Sequence, residues 1–379
     1  MMLANLLGGL ALLSLGLTLW QWLEARRFPL HQRLPPPPTA PGVTLLKPLK
    51  GADPNTAACL RSWFTQAYPG PAQILLAVAS AEDPVCPVVR ALLAEFPARD
   101  AQLRVCPDLL GPNAKVAKLA QLEGLARHDL LVVSDADVWA PPEFLVNLIA
   151  PLTQAGVGLV NPFYCLANPA TLAMRWEAVA INADFWASVL QANRLGPMRF
   201  ALGAVMAVRR ADLEASGGFA ALQDYLADDF ELGRRVAKAG GAIRLCPVVV
   251  ECREPPQGWR AVWRHQLRWA RTIRVCMPWP YAWSILSNAT LWPLAWWAAC
   301  PRVATAAALA ACLAVRLFTA ADQQRRLTRR GWGAAWLWLA PLKDLLQVGL
   351  WLGAFLGNRV EWRGQRYTVG RDGRLVRQA

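Results

Sequence analysis

Short apolar runs alternate with segments of helical length between Gly42 and about Pro255. The apolar runs cover residues 43–46, 74–78 and 130–133, with Thr44 as a polar residue in the first, and such runs are typical of buried parallel strands. The segments between them predict helices over residues 56–66, 87–96 and 114–126. This alternation predicts an α/β domain with a doubly wound sheet, in which a ligand binds beyond the carboxyl ends of the strands.

The composition indicates that another part of the chain lies in lipid. Only 17% of its residues are charged, whereas soluble domains average about 25%. The net charge of +14 suits nucleic acid, an anionic membrane surface or a phosphorylated substrate. The cysteines are odd in number and form no Cys-x-x-Cys pair, which argues against a zinc ribbon and a disulfide framework.

The N-terminus begins with an apolar run over residues 3–23, about the length that crosses a bilayer core. A secretory signal is the alternative, but no basic region precedes the run and no small-residue cleavage site follows it. Arg26, Arg27 and Arg33 come next and place the downstream side in the cytoplasm. We therefore predict a transmembrane anchor over residues 1–25 and a stiff Pro-rich linker over residues 26–41, ahead of a catalytic domain at 42–258.

Tryptophans alternate with arginines over residues 259–280. Such a mixture on a helix fits a segment that lies in the membrane interface, although it also occurs where proteins bind single-stranded nucleic acid. The apolar segments nearby favour the membrane, so we expect no nucleic-acid partner.

Three further apolar segments, 281–300, 303–320 and 334–357, are each candidate spans. Arginines at 325, 326, 329 and 330, and the basic tail at 358–379, both predict cytoplasmic exposure, which three complete crossings do not allow. Lys343 and Asp344 are costly in hydrocarbon. We expect residues 281–357 to combine transmembrane and re-entrant or interfacial helices. The predicted protein is a multi-pass membrane protein with a cytoplasmic catalytic domain, in the inner membrane if it is bacterial.

Two carboxylates follow the apolar run 130–133, at Asp135 and Asp137. Alternate residues of an extended chain share a face, so both can approach one divalent cation. Mg²⁺ or Mn²⁺ would bind such oxygens and stabilise a diphosphate leaving group. A plain strand-ending turn explains the pair equally well.

Two more acidic clusters allow a chemical and a structural interpretation. In the cluster Asp228-Asp229-Phe-Glu231, one carboxylate is a candidate general base, because adjacent like charges raise one pKa; a helix N-cap is the alternative. In the acidic pair Glu82-Asp83 before Pro84, a carboxylate can accept hydrogen bonds from a nucleobase, or the pair can simply begin a turn.

The basic aromatic segment contains His265-Gln-Leu-Arg268-Trp269. The forked guanidinium of Arg268 suits a diphosphate, and Trp269 can line the entrance for sugar or lipid. An amphipathic interfacial helix explains the same residues without any ligand.

Taken in order, these elements resemble the ceramide glucosyltransferase family from about Val43 to Trp269. The stretch Val-Thr-Leu-Leu-Lys-Pro-Leu-Lys-Gly-Ala-Asp-Pro-Asn at 43–55 is similar to that family's opening. Asp83, Asp135 and Asp229 match its three aspartates, and Arg268 with Trp269 matches its Q/R-x-x-R-W motif. Asn-Ala-Lys-Val at 113–116 matches a lysine-bearing element.

The resemblance implies a GT-A type, Rossmann-like fold and an inverting transfer of a sugar, glucose in the first instance, from UDP to the hydroxyl of a membrane lipid such as ceramide. By the same resemblance Asp229 is the catalytic base and Asp83, Lys115, His265, Arg268 and Trp269 bind the donor, while Asp135 and Asp137 hold Mg²⁺ or Mn²⁺. Lys115 has a simpler alternative as a solvated helix lysine.

Two departures and two alternatives remain. Residue 265 is His where the motif has Gln or Arg, and Asp137 adds a carboxylate that some relatives lack. The sequence His-x-Leu-Arg-Trp-Ala-Arg and the tail at 362–367 also resemble bacterial enzymes that transfer N-acetylglucosamine to hopanoid polyols. A processive polysaccharide synthase shares the motifs but needs more confident spans than this chain offers. The sequence predicts no oligomeric state.

Overall fold

The structure is a computed structural model that describes residues 1–35, 37–331, 333–362 and 365–377, without the side chain of residue 334. Its contacts divide the chain into two compact units. The sheet unit comprises Leu30–Asn168, Pro197–Pro255 and Gly373–Ala379, and the helical unit comprises Met1–Pro29, Pro169–Gly196 and Pro256–Asp372. Part of the predicted linker (Pro36) and of the tail (Arg363, Gly364, Gln378 and Ala379) lies outside the described residues.

The sheet unit is built on an eight-stranded mixed sheet. In chain order its strands are β1 Val43–Pro48, β2 Ala72–Val78, β3 Asp100–Val105, β4 Leu130–Ser134, β5 Val138–Trp139, β6 Val157–Leu166, β7 Val205–Arg209 and β8 Ala242–Cys252. Across the sheet they follow the order β3-β2-β1-β4-β7-β6-β8-β5. Strand β1 pairs in parallel with β2 and β4, β2 pairs in parallel with β3, and β6 pairs in parallel with β8. Strand β7 runs antiparallel between β4 and β6.

The centre of the parallel half explains the apolar runs. Leu46 of β1 lies in register with Leu75 of β2 and Val133 of β4, and all three side chains are fully buried. A strand covered on both faces is apolar at most positions. The predicted α/β domain and its first strands are confirmed, whereas the antiparallel β7 was not predicted.

Helices cover the sheet. In chain order those of the sheet unit are Thr56–Phe64, Cys86–Glu95, Ala114–Glu123, Phe144–Leu152, Arg210–Ala215 and Asp228–Lys238, with a 3-10 turn at Phe219–Leu222. The ring of Trp63 packs edge-on against Phe144 with centroids 5.7 Å apart, and its Nε1 donates to the carbonyl of Val138 at 3.0 Å. These contacts fix the chain just beyond β4, where the acidic pair lies.

The helical unit contains the N-terminal apolar helix and the apolar segments that follow Pro256. Its helices are Met2–Arg27, Leu172–Val179, Trp186–Leu195, Trp259–Cys276, Pro278–Trp283, Leu291–Ala299, Val303–Thr328 and Leu339–Phe355, with a π-helical turn at Ala180–Phe185 and 3-10 turns at Ser284–Ser287 and Ala334–Trp336. Two antiparallel strands, Arg359–Trp362 and Gln365–Val369, follow. By length and composition, Met2–Arg27 and Val303–Thr328 can cross a membrane.

The other two predicted spans, 281–300 and 334–357, are not continuous helices over their whole length. Residues 281–300 are not one helix, because Asn288 and Thr290 lie between two short helical pieces and the Asn288 side chain donates to the Asp344 carbonyl at 2.7 Å. Residues 334–357 consist of a 3-10 turn and the helix Leu339–Phe355.

The charges of the last helix are paired within the helical unit. Arg316 contacts Asp344 at 2.7 Å and Asp184 at 2.9 Å, and Lys343 contacts Asp184 at 2.7 Å. Mutual pairing lowers the cost of burying these groups. The prediction that the helix Leu339–Phe355 is re-entrant or interfacial remains a prediction.

Two predicted boundaries change. Residues 169–196, placed in the catalytic domain at 42–258, belong to the helical unit, because Trp176 packs against Trp259 and Asp184 pairs with Arg316. The predicted linker is not a bare spacer: Arg33 pairs with Glu143, and the N–H of Leu34 donates to the Asn147 side chain at 2.8 Å.

Candidate active site

The carboxyl ends of β1 and β4 bring a buried lysine to the acidic pair. Lys47, near the end of β1, is fully buried, and its Nζ donates to Ser134 Oγ at 3.0 Å and to the Asp135 carbonyl at 2.8 Å. Burial lowers the pKa of Lys47 to about 8, although Cys59 and Asp137 oppose the shift. A lysine in an otherwise apolar strand could have indicated a functional site, but no function was predicted for Lys47 from the sequence.

Asp135 and Asp137 lie in the turn that joins β4 to β5, not on an extended strand as predicted. The N–H of Asp135 donates to the Ala204 carbonyl at 3.1 Å, just before β7, and the N–H of Arg253 donates to the Asp137 carbonyl at 3.0 Å. Burial and then the charges of Asp135 and Glu254 raise the pKa of Asp137 to about 7. The two aspartates are therefore close enough to repel each other.

Lys115 is held between two carboxylates. Its Nζ lies 2.8 Å from Oδ1 of Asp135 and 3.3 Å from Oδ2 of Asp228, and the lysine side chain is 8% exposed. Burial opposes its charge, but Asp135 and Asp228 raise the pKa of Lys115 above its usual value. The interpretation of Lys115 as a solvated helix lysine is therefore wrong.

Asn113 fixes the position of that lysine. Its side chain caps the helix Ala114–Glu123 by accepting from the N–H groups of Lys115 and Val116, at 3.1 and 3.2 Å. Its amide donates to the Tyr225 carbonyl at 2.8 Å, only a few residues before Asp228. The fully buried Asn113 thus links the lysine to the second acidic cluster.

Asp228 and Asp229 open the helix Asp228–Lys238, where the helix dipole favours negative charge. The N-cap is Ala227, so neither aspartate is the cap residue that the structural alternative required. Burial and then the charge of Asp228 raise the pKa of Asp229 to about 7. A carboxyl group with this pKa can both accept and release a proton near neutral pH.

Two glycines allow this helix to approach the sheet. A Cβ on Gly203 would lie 2.7 Å from Oδ2 of Asp229. A Cβ on Gly233 would lie 2.4 Å from the backbone nitrogen of Ala201. The Asp229 carboxylate and its helix are therefore in close contact with the chain just before β7.

Glu231 has a structural role. Burial opposes its charge, but hydrogen bonds from Arg234 and Arg235 lower the pKa of Glu231. Arg235 also donates to the Ser216 carbonyl at 3.0 Å, which anchors the helix.

Asp83 joins two loops at the carboxyl edge of the sheet. Its Oδ1 accepts from the N–H of Gly51 at 2.9 Å and from the N–H of Val85 at 3.0 Å. Gly51 has φ +72°, which favours glycine. The turn interpretation of Asp83 is thus realised, and a role in reading uracil stays a prediction.

The remaining candidates lie in the helical unit, on the helix Trp259–Cys276. His265 Nδ1 lies 2.7 Å from Oε1 of Glu177, and the His265 and Trp269 rings meet edge to face with centroids 4.8 Å apart. Arg268 lies one turn from His265, and its carbonyl accepts from Thr272 Oγ1 at 2.8 Å.

The sheet unit thus brings together Lys115, Asp135, Asp228 and Asp229, and Asp137 lies beside Asp135. In the described part of the chain, no three His, Cys, Asp or Glu side chains group closely enough to hold a metal by themselves. Mg²⁺ commonly binds through one or two carboxylates and completes its shell with substrate phosphates and water. The Asp135–Asp137 pair fits that chemistry, because its carboxylates repel each other and Asp135 is 38% exposed.

One known family matches almost the whole chain. Residues 6–375 match glycosyl transferase family 21. The chain belongs to this family.

Individual relatives cover smaller parts of the chain. It is 38% identical over 122 residues to a ceramide glucosyltransferase of Candida albicans, an alignment that covers 29% of the chain and 22% of that protein. It is 26% identical over 213 residues to ceramide glucosyltransferase 1 of Caenorhabditis elegans, covering 56% and 45%. The matches thus span less than half the length of either relative.

Among solved structures, the fold resembles a mannosyltransferase from Pyrobaculum calidifontis in complex with GDP-Man and Mn²⁺. The TM-score is 0.57 at 22% identity, and the match covers 91% of this chain and 99% of that one. The predicted GT-A type fold is thereby confirmed.

Proposed function

We propose that this member of family 21 is an inverting glycosyltransferase that moves a hexose, glucose in the first instance, from UDP to the hydroxyl of a membrane lipid of the ceramide type. The observation that carries the proposal is the pairing of the buried Lys115 with both Asp135 and Asp228, with Asp229 next along the chain. The names of the curated relatives support a lipid acceptor and glucose.

In the proposed reaction the acceptor oxygen attacks the anomeric carbon while the bond to the diphosphate breaks. Asp229 takes the proton from the acceptor hydroxyl, which its pKa of about 7 permits near neutral pH. Lys115 offsets the negative charge of the departing UDP, and the resemblance assigns Arg268 the same role. His265 and Trp269 are proposed to contact the donor, and Asp83 the uracil.

Asp135 and Asp137 would hold Mg²⁺ or Mn²⁺. A bound cation would supply charge stabilisation to the leaving diphosphate. The presence of Mn²⁺ together with GDP-Man in the Pyrobaculum calidifontis mannosyltransferase supports the use of such a cation.

The proposed setting is a multi-pass membrane protein whose catalytic part faces the cytoplasm. The two apolar helices Met2–Arg27 and Val303–Thr328 support membrane attachment. Arg26 and Arg27 at the end of the first helix support a cytoplasmic location of the sheet unit, which begins at Leu30.

The deciding experiment incubates the purified full-length protein with lipid vesicles and one sugar nucleotide at a time. The donors are UDP-glucose, UDP-N-acetylglucosamine, UDP-galactose and GDP-mannose, and the acceptors are ceramide and a hopanoid polyol. Products are identified by mass, and Asp229→Asn protein is the matched control. We expect a glucosylated ceramide of inverted anomeric configuration from UDP-glucose. A retained configuration, or a long polysaccharide without lipid product, would contradict the proposal.

A further inference from the structure

Glu177 is a buried carboxylate whose two hydrogen bonds both go to the motif helix Trp259–Cys276. It is 1% exposed, and its Oε1 lies 2.7 Å from His265 Nδ1 and 2.7 Å from Gln266 Nε2. Its other oxygen, Oε2, has no hydrogen-bond partner in the described part of the chain. Burying a carboxylate is costly unless hydrogen bonds compensate, and among the described residues the compensation comes from these two neighbours.

The two helices are held together at more than this point. Thr171, at the start of the helix Leu172–Val179, donates to the Gln257 carbonyl at 2.5 Å, just before the motif helix. Trp176 stacks on Trp263 with centroids 6.2 Å apart and an interplanar angle of 20°. The position of Glu177 opposite His265 is therefore set by the surrounding packing, independently of their hydrogen bond.

Glu177 Oε1 already accepts from the Gln266 amide, and an acceptor oxygen bonds His265 only if the ring nitrogen that faces it carries the proton. Nδ1 is then the donor, and Nε2 is the nitrogen left to bond another group. The edge-to-face contact with Trp269 limits rotation of the ring. The His265 side chain is 20% exposed, so part of it is accessible to solvent.

We propose that Glu177 is a positioning residue of the His265-x-x-Arg268-Trp269 motif: its carboxylate holds the Nδ1 proton of His265 and leaves Nε2 as the nitrogen that bonds the substrate. The functional part of this inference rests on the proposed glycosyl transfer. Glu177 itself touches no substrate, and its effect on the reaction passes through the ring of His265. A carboxylate behind a metal-bound histidine acts in the same way, and its removal costs about 10- to 100-fold in affinity or activity.

The test has a spectroscopic arm that needs no activity. Full-length protein with ¹⁵N-labelled histidine is prepared in detergent, and long-range ¹H–¹⁵N spectra report which ring nitrogen carries the proton. The chain has three histidines, and the signal that disappears in His265→Gln assigns the residue. We expect the Nδ1–H tautomer of neutral His265 in the wild type and in Glu177→Gln, whose amide oxygen still accepts, but not in Glu177→Met. An Nε2–H tautomer in the wild type would overturn the proposal without any variant.

The kinetic arm uses Gln266→Met as the matched control, because it removes the other hydrogen bond to the same oxygen of Glu177. Glu177→Met should lower kcat/KM for sugar transfer by about 10- to 100-fold, whereas Glu177→Gln and Gln266→Met should stay close to wild type. In a His265→Gln background, Glu177→Met should have little further effect. Equal losses in Glu177→Met and Gln266→Met, or full additivity with His265→Gln, would show a merely structural role. If the wild type transfers no sugar to any acceptor, the proposed function fails, and the tautomer still decides the role of Glu177.

Discussion

The Lys115 ammonium lies 2.8 Å from Oδ1 of Asp135, so a carboxylate proposed to bind a divalent cation already has a positive partner. A cation must then share Asp135 with the lysine or use its other oxygen. Asp137, whose pKa is raised to about 7 by burial and by Asp135, is the side chain whose ionisation a cation would most favour.

We therefore predict that Asp137→Ala and Asp135→Ala each weaken Mn²⁺-dependent binding of UDP by about a hundredfold or more, because a bound cation stabilises diphosphate charge by several kcal/mol. Titration calorimetry with and without Mn²⁺ measures the effect. Asp129→Asn, which alters a carboxylate that is 92% exposed, is the control and should bind normally. Full transfer activity of the wild type in excess chelator would refute the assignment.

Asp229→Asn should lower the rate of transfer by about 10²- to 10⁴-fold, the usual effect of losing a general base. The amide keeps the shape of the carboxyl group but cannot take the acceptor proton. UDP binding should change little, because Asp229 is not one of the proposed cation ligands. Single-turnover rates and calorimetry on the same preparation separate the two effects. A variant that turns over at nearly the wild-type rate would exclude Asp229 as the base.

The raised pKa of Asp229 also predicts how activity depends on pH. The base works only when it is ionised, so kcat/KM should rise with pH through about 7 and then level off.

The same raised pKa predicts that the folded state loses stability as pH rises. A carboxyl group whose pKa is higher in the folded than in the unfolded state stabilises the fold at low pH, and this contribution is lost as pH rises through about 7. Asp229→Asn should therefore gain stability relative to wild type as pH increases, as measured by thermal unfolding; an unchanged difference would be evidence against the raised pKa.

Gly233→Ala should destabilise the protein by about 1–3 kcal/mol, the usual effect of overpacking. The new Cβ would lie 2.4 Å from the Ala201 backbone nitrogen, and backbone cannot move aside as a side-chain tip can. Gly124→Ala is the matched control, because that glycine has negative φ and a Cβ added to it would meet nothing within 4 Å. Thermal unfolding in detergent compares them. Equal melting temperatures would mean that the close contact of the Asp229 helix is not required.

The parallel core was predictable from sequence because burial on both faces leaves a largely apolar run, as at Leu46 and Val133. The environment of Lys115 was not predictable from sequence. Its partners Asp135 and Asp228 are far apart in the chain, and the fold brings the turn after β4 next to the helix Asp228–Lys238. A helix lysine without those partners would be solvated, as the alternative interpretation assumed.

Glu177 escaped prediction for the same reason: it lies far along the chain from His265, and only the packing of two helices joins them. The break in the predicted span at 281–300 did leave a local sign, since the polar Asn288 interrupts the apolar run where the first helical piece ends. A hydropathy average depends on composition alone and does not detect where a helix is interrupted. The interruption becomes visible only in the backbone hydrogen bonds.

The acceptor should be a lipid taken from the bilayer, and the structure indicates which tryptophans should be changed to test this. Trp263, one of the sequence-predicted interfacial residues, stacks on Trp176 and so belongs to the packing of the helical unit. Trp279 and Trp283, on the helix Pro278–Trp283, are 72% and 62% exposed and are the better candidates for contact with lipid. An aromatic ring buried in the interface contributes on the order of 1.5–3 kcal/mol.

We accordingly predict that Trp279→Ser with Trp283→Ser lowers sugar transfer to ceramide in vesicles by about tenfold or more. Slow hydrolysis of the sugar nucleotide should be nearly unchanged, because neither ring belongs to the sheet unit that carries Asp135 and Asp229. Trp263→Ser is the informative contrast, since removing a packed ring should reduce both activities and the melting temperature together. Equal loss of transfer and hydrolysis in the double variant would indicate misfolding, and efficient transfer to a soluble sugar with no lipid product would refute the lipid acceptor.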